Sequence, residues 1–166
     1  MLDTAPPPGH GAKVPEPLGE SVTHILEEAR MLIPGVTAFL GFQLIAVFSQ
    51  GFTKLDHNEQ VLHLVAMFLM IVSLLLLLTP ATYHRQVESG WVSQGFVNLS
   101  SRLLTAATPA FALGITADFY LLVRFVVEDR VAAAATAVLV LAIAVALWYA
   151  VPHVRPLALF LRGERR

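Results

Sequence analysis

From Leu64 to Leu78 only Ser73 can hydrogen-bond through its side chain; every other residue is apolar. At about 1.5 Å rise per residue, Val61 to Pro80 gives roughly 30 Å of helix, the thickness of a bilayer's hydrocarbon core. Pro80 and the polar Tyr83-His84-Arg85 then mark a return to headgroups and water. The pattern predicts a transmembrane helix, which makes lipid the solvent for the rest of the chain. Apolar runs predict four spans in all, at about residues 31–50, 61–80, 103–127 and 131–151. In the first, Gln43 falls near mid-membrane, and Thr37 and Gly41, four apart, are small enough to let a neighbouring helix approach. The third is interrupted by Pro109, Gly114, Asp118 and Arg124; the fourth is Ala-rich and ends in an interfacial aromatic pair, Trp148-Tyr149.

Between these runs the pattern changes. Val22, Ile25, Leu26 and Ala29 recur at helical spacing, with Glu20, Thr23, Glu27 and Arg30 elsewhere on the wheel. This predicts an amphipathic leading helix, with Ser21 as candidate N-cap, either lying in the membrane surface or extending the first span. Its apolar residues are expected to serve membrane docking or contact between subunits. Residues 1–19, with Pro6-Pro7-Pro8-Gly9, Gly11, Pro15, Pro17 and Gly19, read as a disordered tail with no signal-peptide pattern. Gly51 to Gln60 is a short polar connection, and a loop runs through Ser89-Gly90. Trp91 opens a weakly polar run to Arg102 that leads helically into the third span, and Glu128-Asp129-Arg130 makes a tight charged turn. Residues 20–161 thus form one transmembrane domain, and residues 162–166 a basic tail. The expected fold is an all-α integral membrane four-helix bundle.

Composition agrees. Apolar residues make up 56% of the chain and charged residues 14%, against about 25% charge in a soluble domain. Formal net charge is −1, and the basic residues form no nucleic-acid patch. Cysteine is absent, which excludes disulfides, thiolate metal sites and cysteine nucleophiles. There is no phosphate-binding glycine loop, no dinucleotide fingerprint and no His-Glu-x-x-His, and no enzymatic activity or cofactor is expected. Four spans put both termini on one side. That side receives Lys13, Arg30, Arg85, Arg102, Arg155, Arg162, Arg165 and Arg166, the other only Lys54, Arg124 and Arg130, so the positive-inside rule places both termini in the cytoplasm.

The run Glu28-Ala29-Arg30-Met31-Leu32-Ile33-Pro34-Gly35, followed by Phe42-Gln43 and by Pro80-Ala81-Thr82-Tyr83-His84-Arg85, resembles a family of small bacterial four-span membrane proteins of unknown function. Members are sometimes labelled sodium–proton antiporter by automatic naming. The resemblance covers roughly Ile25 to the end of the fourth span. It implies a bacterial plasma-membrane protein with a Glu-x-Arg start to the first helix and a His-Arg exit from the second.

Two constellations are candidates for chemistry. Asp118 lies about 22 Å along the third span, inside the hydrocarbon, where an acid costs roughly 2.5–3.5 kcal/mol and marks a pathway or a paired site. Arg124 diverges from it by about 240° around the helix, which leaves His63, Lys54 and His57 as candidate partners. Asp118, His63 and Gln43 make up the candidate ion or proton pathway, although Gln43 and Ser73 also suit helix-packing hydrogen bonds. At the cytoplasmic face Glu28, Arg30, His84, Arg85 and Arg102 can converge, with ion pairs from Glu28 to Arg85 or Arg102 closing the bundle and His84 as a pH-sensitive group. The plainer reading of these arginines is anchoring by snorkelling. Haem between facing histidines, His84 with His153 or His57 with His63, is a distant third, because all four stand at span ends or in loops.

Three function classes follow: a small ion or proton pathway, a non-catalytic module binding lipid or a partner through the leading helix, and a redox protein. At 166 residues the chain lacks room for the repeated halves of most secondary transporters, so the first requires a homo-oligomer in the bilayer.

Overall fold

The computed structural model describes residues 17–87 and 93–151. The Pro/Gly-rich tail over residues 1–16, the Ser89-Gly90 loop with Trp91, the His153 and Arg155 pair and the basic C-terminal tail lie outside the described residues.

Four helices run up and down: α1, Leu18–Val47; α2, His57–Val87; α3, Gln94–Val127; and α4, Arg130–Val145, which widens into a π-helical turn at Ala146–Ala150. All four are long and apolar enough to cross a membrane, as a multi-pass membrane protein requires. Among the described residues there is no strand, and the fold is an all-α four-helix bundle.

The leading helix and the first span are one continuous helix. It begins at Leu18 after Pro17, so Ser21 is not the N-cap; its hydroxyl faces the Pro17 carbonyl from inside the first turn. Nor does the amphipathic face wait for a membrane surface or a second subunit. Val22, Ile25 and Ala29 are buried within the chain, and Ile25 joins Val36, Leu77, Leu104 and Ala107 in the core. A helix of 30 residues is about 45 Å long, more than the hydrocarbon needs, so its extra turns pack against the equally overlong α2 and α3.

Buried positions of α2 recur at alternating steps of four and three: Glu59, His63, Ala66, Met70, Ser73, Leu77 and Pro80. That stripe faces α3 in the largest helix interface, while α1 packs mainly on α2 and α4 on α3. Gly114 makes the α2–α3 approach possible, since a Cβ there would meet Met70 Sδ at 3.1 Å and the Ala66 carbonyl at 3.2 Å. Ser73 donates across the same interface to the Ala107 carbonyl at 3.0 Å. Gly41, in contrast, faces open space, and within the protomer the Thr37/Gly41 pair brings no helix close.

Local sequence explains the ends and irregularities. Ser93 caps α3 by accepting from the Phe96 amide, and Asp129 caps α4 by accepting from Val131. Between them Glu128 takes a left-handed φ of 60°, which makes the α3–α4 turn tight. Pro109 removes the amide that would bond the Thr105 carbonyl. The Thr108 hydroxyl donates to that carbonyl instead, at 2.8 Å, and is also 2.9 Å from Tyr149 Oη, which ties the π-helical turn to α3.

Candidate functional site

The end of the bundle that carries the 48–56 connection and the α3–α4 turn collects the buried charge. Asp56 and Glu59 form a reciprocal cap on α2: Glu59 N donates to Asp56 Oδ1 at 2.9 Å, and Asp56 N donates to Glu59 Oε2 at 3.1 Å. The other Glu59 oxygen stands 3.0 Å from Arg124 Nε of α3, and Arg130 at the start of α4 reaches Asp56 at 2.9 Å. Three segments are thus joined by two ion pairs.

One turn further in, Asp118, His63 and Gln43 meet, each from a different helix. Gln43 Nε2 donates to Asp118 Oδ2, and His63 Nδ1 lies 3.3 Å from Asp118 Oδ1. His63 Nε2 is 3.0 Å from the backbone carbonyl of Gln43. Counted from the adjacent helix ends at Val47, His57 and Val127, the three residues stand about 6, 9 and 14 Å in. Gln43 thus sits one turn from the end of α1, at the level of Asp118. His63 and Gln43 are nearly inaccessible and the Asp118 side chain is 21% exposed.

A carbonyl only accepts, so Nε2 must carry a proton to bond Gln43. Nδ1 faces a carboxyl oxygen, and two lone pairs at that distance repel unless a proton lies between them. A proton on Nδ1 or on Oδ1 would bridge ring and acid and make the trio neutral as a whole. Both ring nitrogens are engaged, which leaves none for haem iron. Asp118 Oδ1 meets the ring at 3.3 Å, and Gln43 Oε1 is buried without a hydrogen-bond partner.

Beside the trio is a cavity of about 520 Å³, bounded by α1, α3 and the 48–56 connection. Gln43, His63 and Asp118 line it together with Phe39, Phe42, Phe52, Phe119 and Phe125, five of the chain's ten phenylalanines. Deeper along α2 the polar lining stops. Ala66 and Met70 close on Gly114, and the Ser73 hydroxyl is spent on Ala107.

The constellation expected at the cytoplasmic face is built differently from expectation. Glu28, Arg30, Arg85 and Arg102 are exposed, and no ion pair among the described residues links them. Flexible arginines in water gain little from pairing. Aromatic packing closes this end instead: Tyr83 stacks on Phe96 at 5.9 Å, and the half-buried His84 ring lies 5.3 Å from Phe96. Glu28 lines a second cavity, of about 800 Å³, between α1, α3 and α4.

Lys54 and His57 do not join Asp118; both are exposed. Sequence reasoning missed Glu59 and Arg124 as a pair. The signal was available in Asp56-x-x-Glu59, a capping pattern, and in the four-residue step from Glu59 to His63, which puts both on the buried face of α2.

DUF6328, described as a family of unknown function, matches residues 16–152. No curated protein and no solved structure matches the chain.

Proposed function

Because the chain belongs to DUF6328, whose function is unknown, we propose from its own geometry that it is a small proton-coupled ion-handling protein of the bacterial plasma membrane. In this reading Asp118, His63 and Gln43 form the outward-facing proton site, both termini are cytoplasmic, and a homo-oligomer completes the pathway. The observation that carries it is an acid held below the helix ends by an imidazole and an amide from two other helices; one proton shared between acid and imidazole is part of the proposal. An acid placed that deep without such a role is costly. A second reading, a membrane module with no flux, is favoured by the close packing of Met70 on Gly114, which interrupts the polar lining within one protomer.

The two are separated in liposomes carrying an imposed pH gradient and a trapped pH dye. Wild type is expected to dissipate the gradient faster than protein-free liposomes, and Asp118→Asn to fall back to the protein-free rate while remaining monodisperse. Equal rates in wild type and variant would remove Asp118 from the mechanism. Absence of wild-type flux would leave the module reading ahead.

Orientation is tested independently, helped by the absence of native cysteine. Asn58→Cys, in the exposed first turn of α2, is expected to react with a membrane-impermeant maleimide in intact cells. Gln86→Cys, exposed at the other end of α2, is expected to react only after permeabilisation. The reverse pattern would invert the topology and turn the site inward.

A further inference from the structure

The cavity beside the trio has a lining with a definite preference. Its walls are phenylalanine and aliphatic, and its polar floor is short of donors. Gln43 gives one of its two amide N–H groups to Asp118, His63 spends Nε2–H on the Gln43 carbonyl, and Ser49 turns its hydroxyl onto the Ala46 carbonyl at 2.7 Å. Left over is one acceptor, Gln43 Oε1, buried without a hydrogen bond, next to Asp118 Oδ1, whose contact is the His63 ring at 3.3 Å. Gln43 itself is only 4% exposed. The free Gln43 oxygen and the Asp118 carboxyl suit a ligand that brings its own donor.

Phenylalanine faces carry negative potential and attract organic cations, most strongly where water is excluded. Phe42, Leu122 and Phe125 line the cavity and are exposed on the outside of the bundle, so its rim faces lipid between α1 and α3. A volume of about 520 Å³ falls within the usual range for small-molecule sites. We infer that this cavity binds a membrane-partitioned organic ammonium, an aromatic body with an N–H head, and exchanges it for the proton of the Asp118–His63 pair. The inference rests on the proton-site reading above and supplies its substrate class.

Charge balance sets the stoichiometry. With its proton the trio is neutral; Glu59 is matched by Arg124 and Asp56 by Arg130, and among the described residues the cavity lining holds no acid besides Asp118. Adding a cation while keeping the proton would leave a net positive charge in an apolar cavity. Losing the proton shared by Nδ1 and Oδ1 restores neutrality and leaves Asp118 ionised to accept from the ammonium. One proton leaves for each cation bound, and no covalent bond changes.

The test is calorimetric titration of the full chain in detergent micelles with N-benzyl-N,N-dimethylammonium, repeated in two buffers of different ionisation enthalpy. Binding with close to one proton released is expected. Asp118→Asn is expected to weaken binding more than about ten-fold and to abolish the release. Phe42→Ala, on the lipid-facing rim, is expected to weaken binding about five-fold with the release per cation unchanged. Benzyl alcohol serves as the neutral donor. Alcohol binding equal to that of the ammonium, ammonium binding without proton release, or no ammonium binding would each overturn the inference. Any of these alongside intact pH-gradient dissipation leaves the proton site standing, whereas loss of both removes the two together.

Discussion

Gly114→Leu is expected to break the bundle at its tightest point. The α2–α3 interface is the largest in the fold, and a Cβ at position 114 already meets the Met70 sulfur at 3.1 Å and the Ala66 carbonyl at 3.2 Å. Methionine can swing aside, being unbranched and flexible. The Ala66 carbonyl belongs to the backbone of α2 and moves only if the helix moves. A leucine adds three more carbons behind that Cβ, where Ala66 and Met70 are both fully buried. The expected loss is about 3 kcal/mol, the upper end of overpacking costs, or a bundle that no longer assembles. Gly41→Leu is the control, because a Cβ there meets nothing within 4 Å. Thermal unfolding in detergent should show a large drop for the first variant and little change for the second. Equal behaviour of the two would mean that α2 and α3 do not approach at Gly114.

How the bundle could be foreseen, and where foresight stopped, follows from the kind of signal each feature leaves. Spans are written in single-residue hydropathy, so Val61 to Leu78 announces itself without reference to any partner. Asp118 stands out for the same reason, as the only acid within an apolar run of α3. His63 is legible as its partner because few titratable groups share that side. Gln43 is harder: counting inward from Pro34 puts it near mid-membrane, while the structure ends α1 at Val47, one turn beyond it. The leading helix was ambiguous because an amphipathic face does not say whether it will cover lipid, another subunit or the chain itself. Here overlong α2 and α3 supply the cover, and their length beyond the apolar core is a property of residues that look like loop. The phenylalanine cavity left no pattern at all. Its five rings come from α1, the 48–56 connection and α3, and only folding brings them to one place. Gly114 read as an interruption of a helix, whereas its role is set entirely by what α2 places opposite it.

The second large effect expected is at Asp118, where a change of one atom should rearrange the whole trio. In Asp118→Asn the amide oxygen can accept from Gln43 Nε2 and the amide NH2 can donate to His63 Nδ1. The contacts from residue 118 to Gln43 and His63 are then both hydrogen bonds with a neutral ring protonated on Nε2 alone, and an extra proton has no place. The bundle is expected to stay folded, since an amide is less costly than a carboxylate to hold in an apolar surround. What should vanish is the proton between ring and acid, and that proton is the centre of the functional reading. It can be observed directly in the full chain in lipid, by nitrogen NMR of ring-labelled histidine assigned through His63→Gln and by the infrared carboxyl band assigned through Asp118→Asn. The expected result at neutral pH is either a protonated Nδ1 on His63 or a protonated carboxyl on Asp118 in wild type, and neither in the Asn variant. An unprotonated Nδ1 beside an ionised Asp118 in wild type would contradict it.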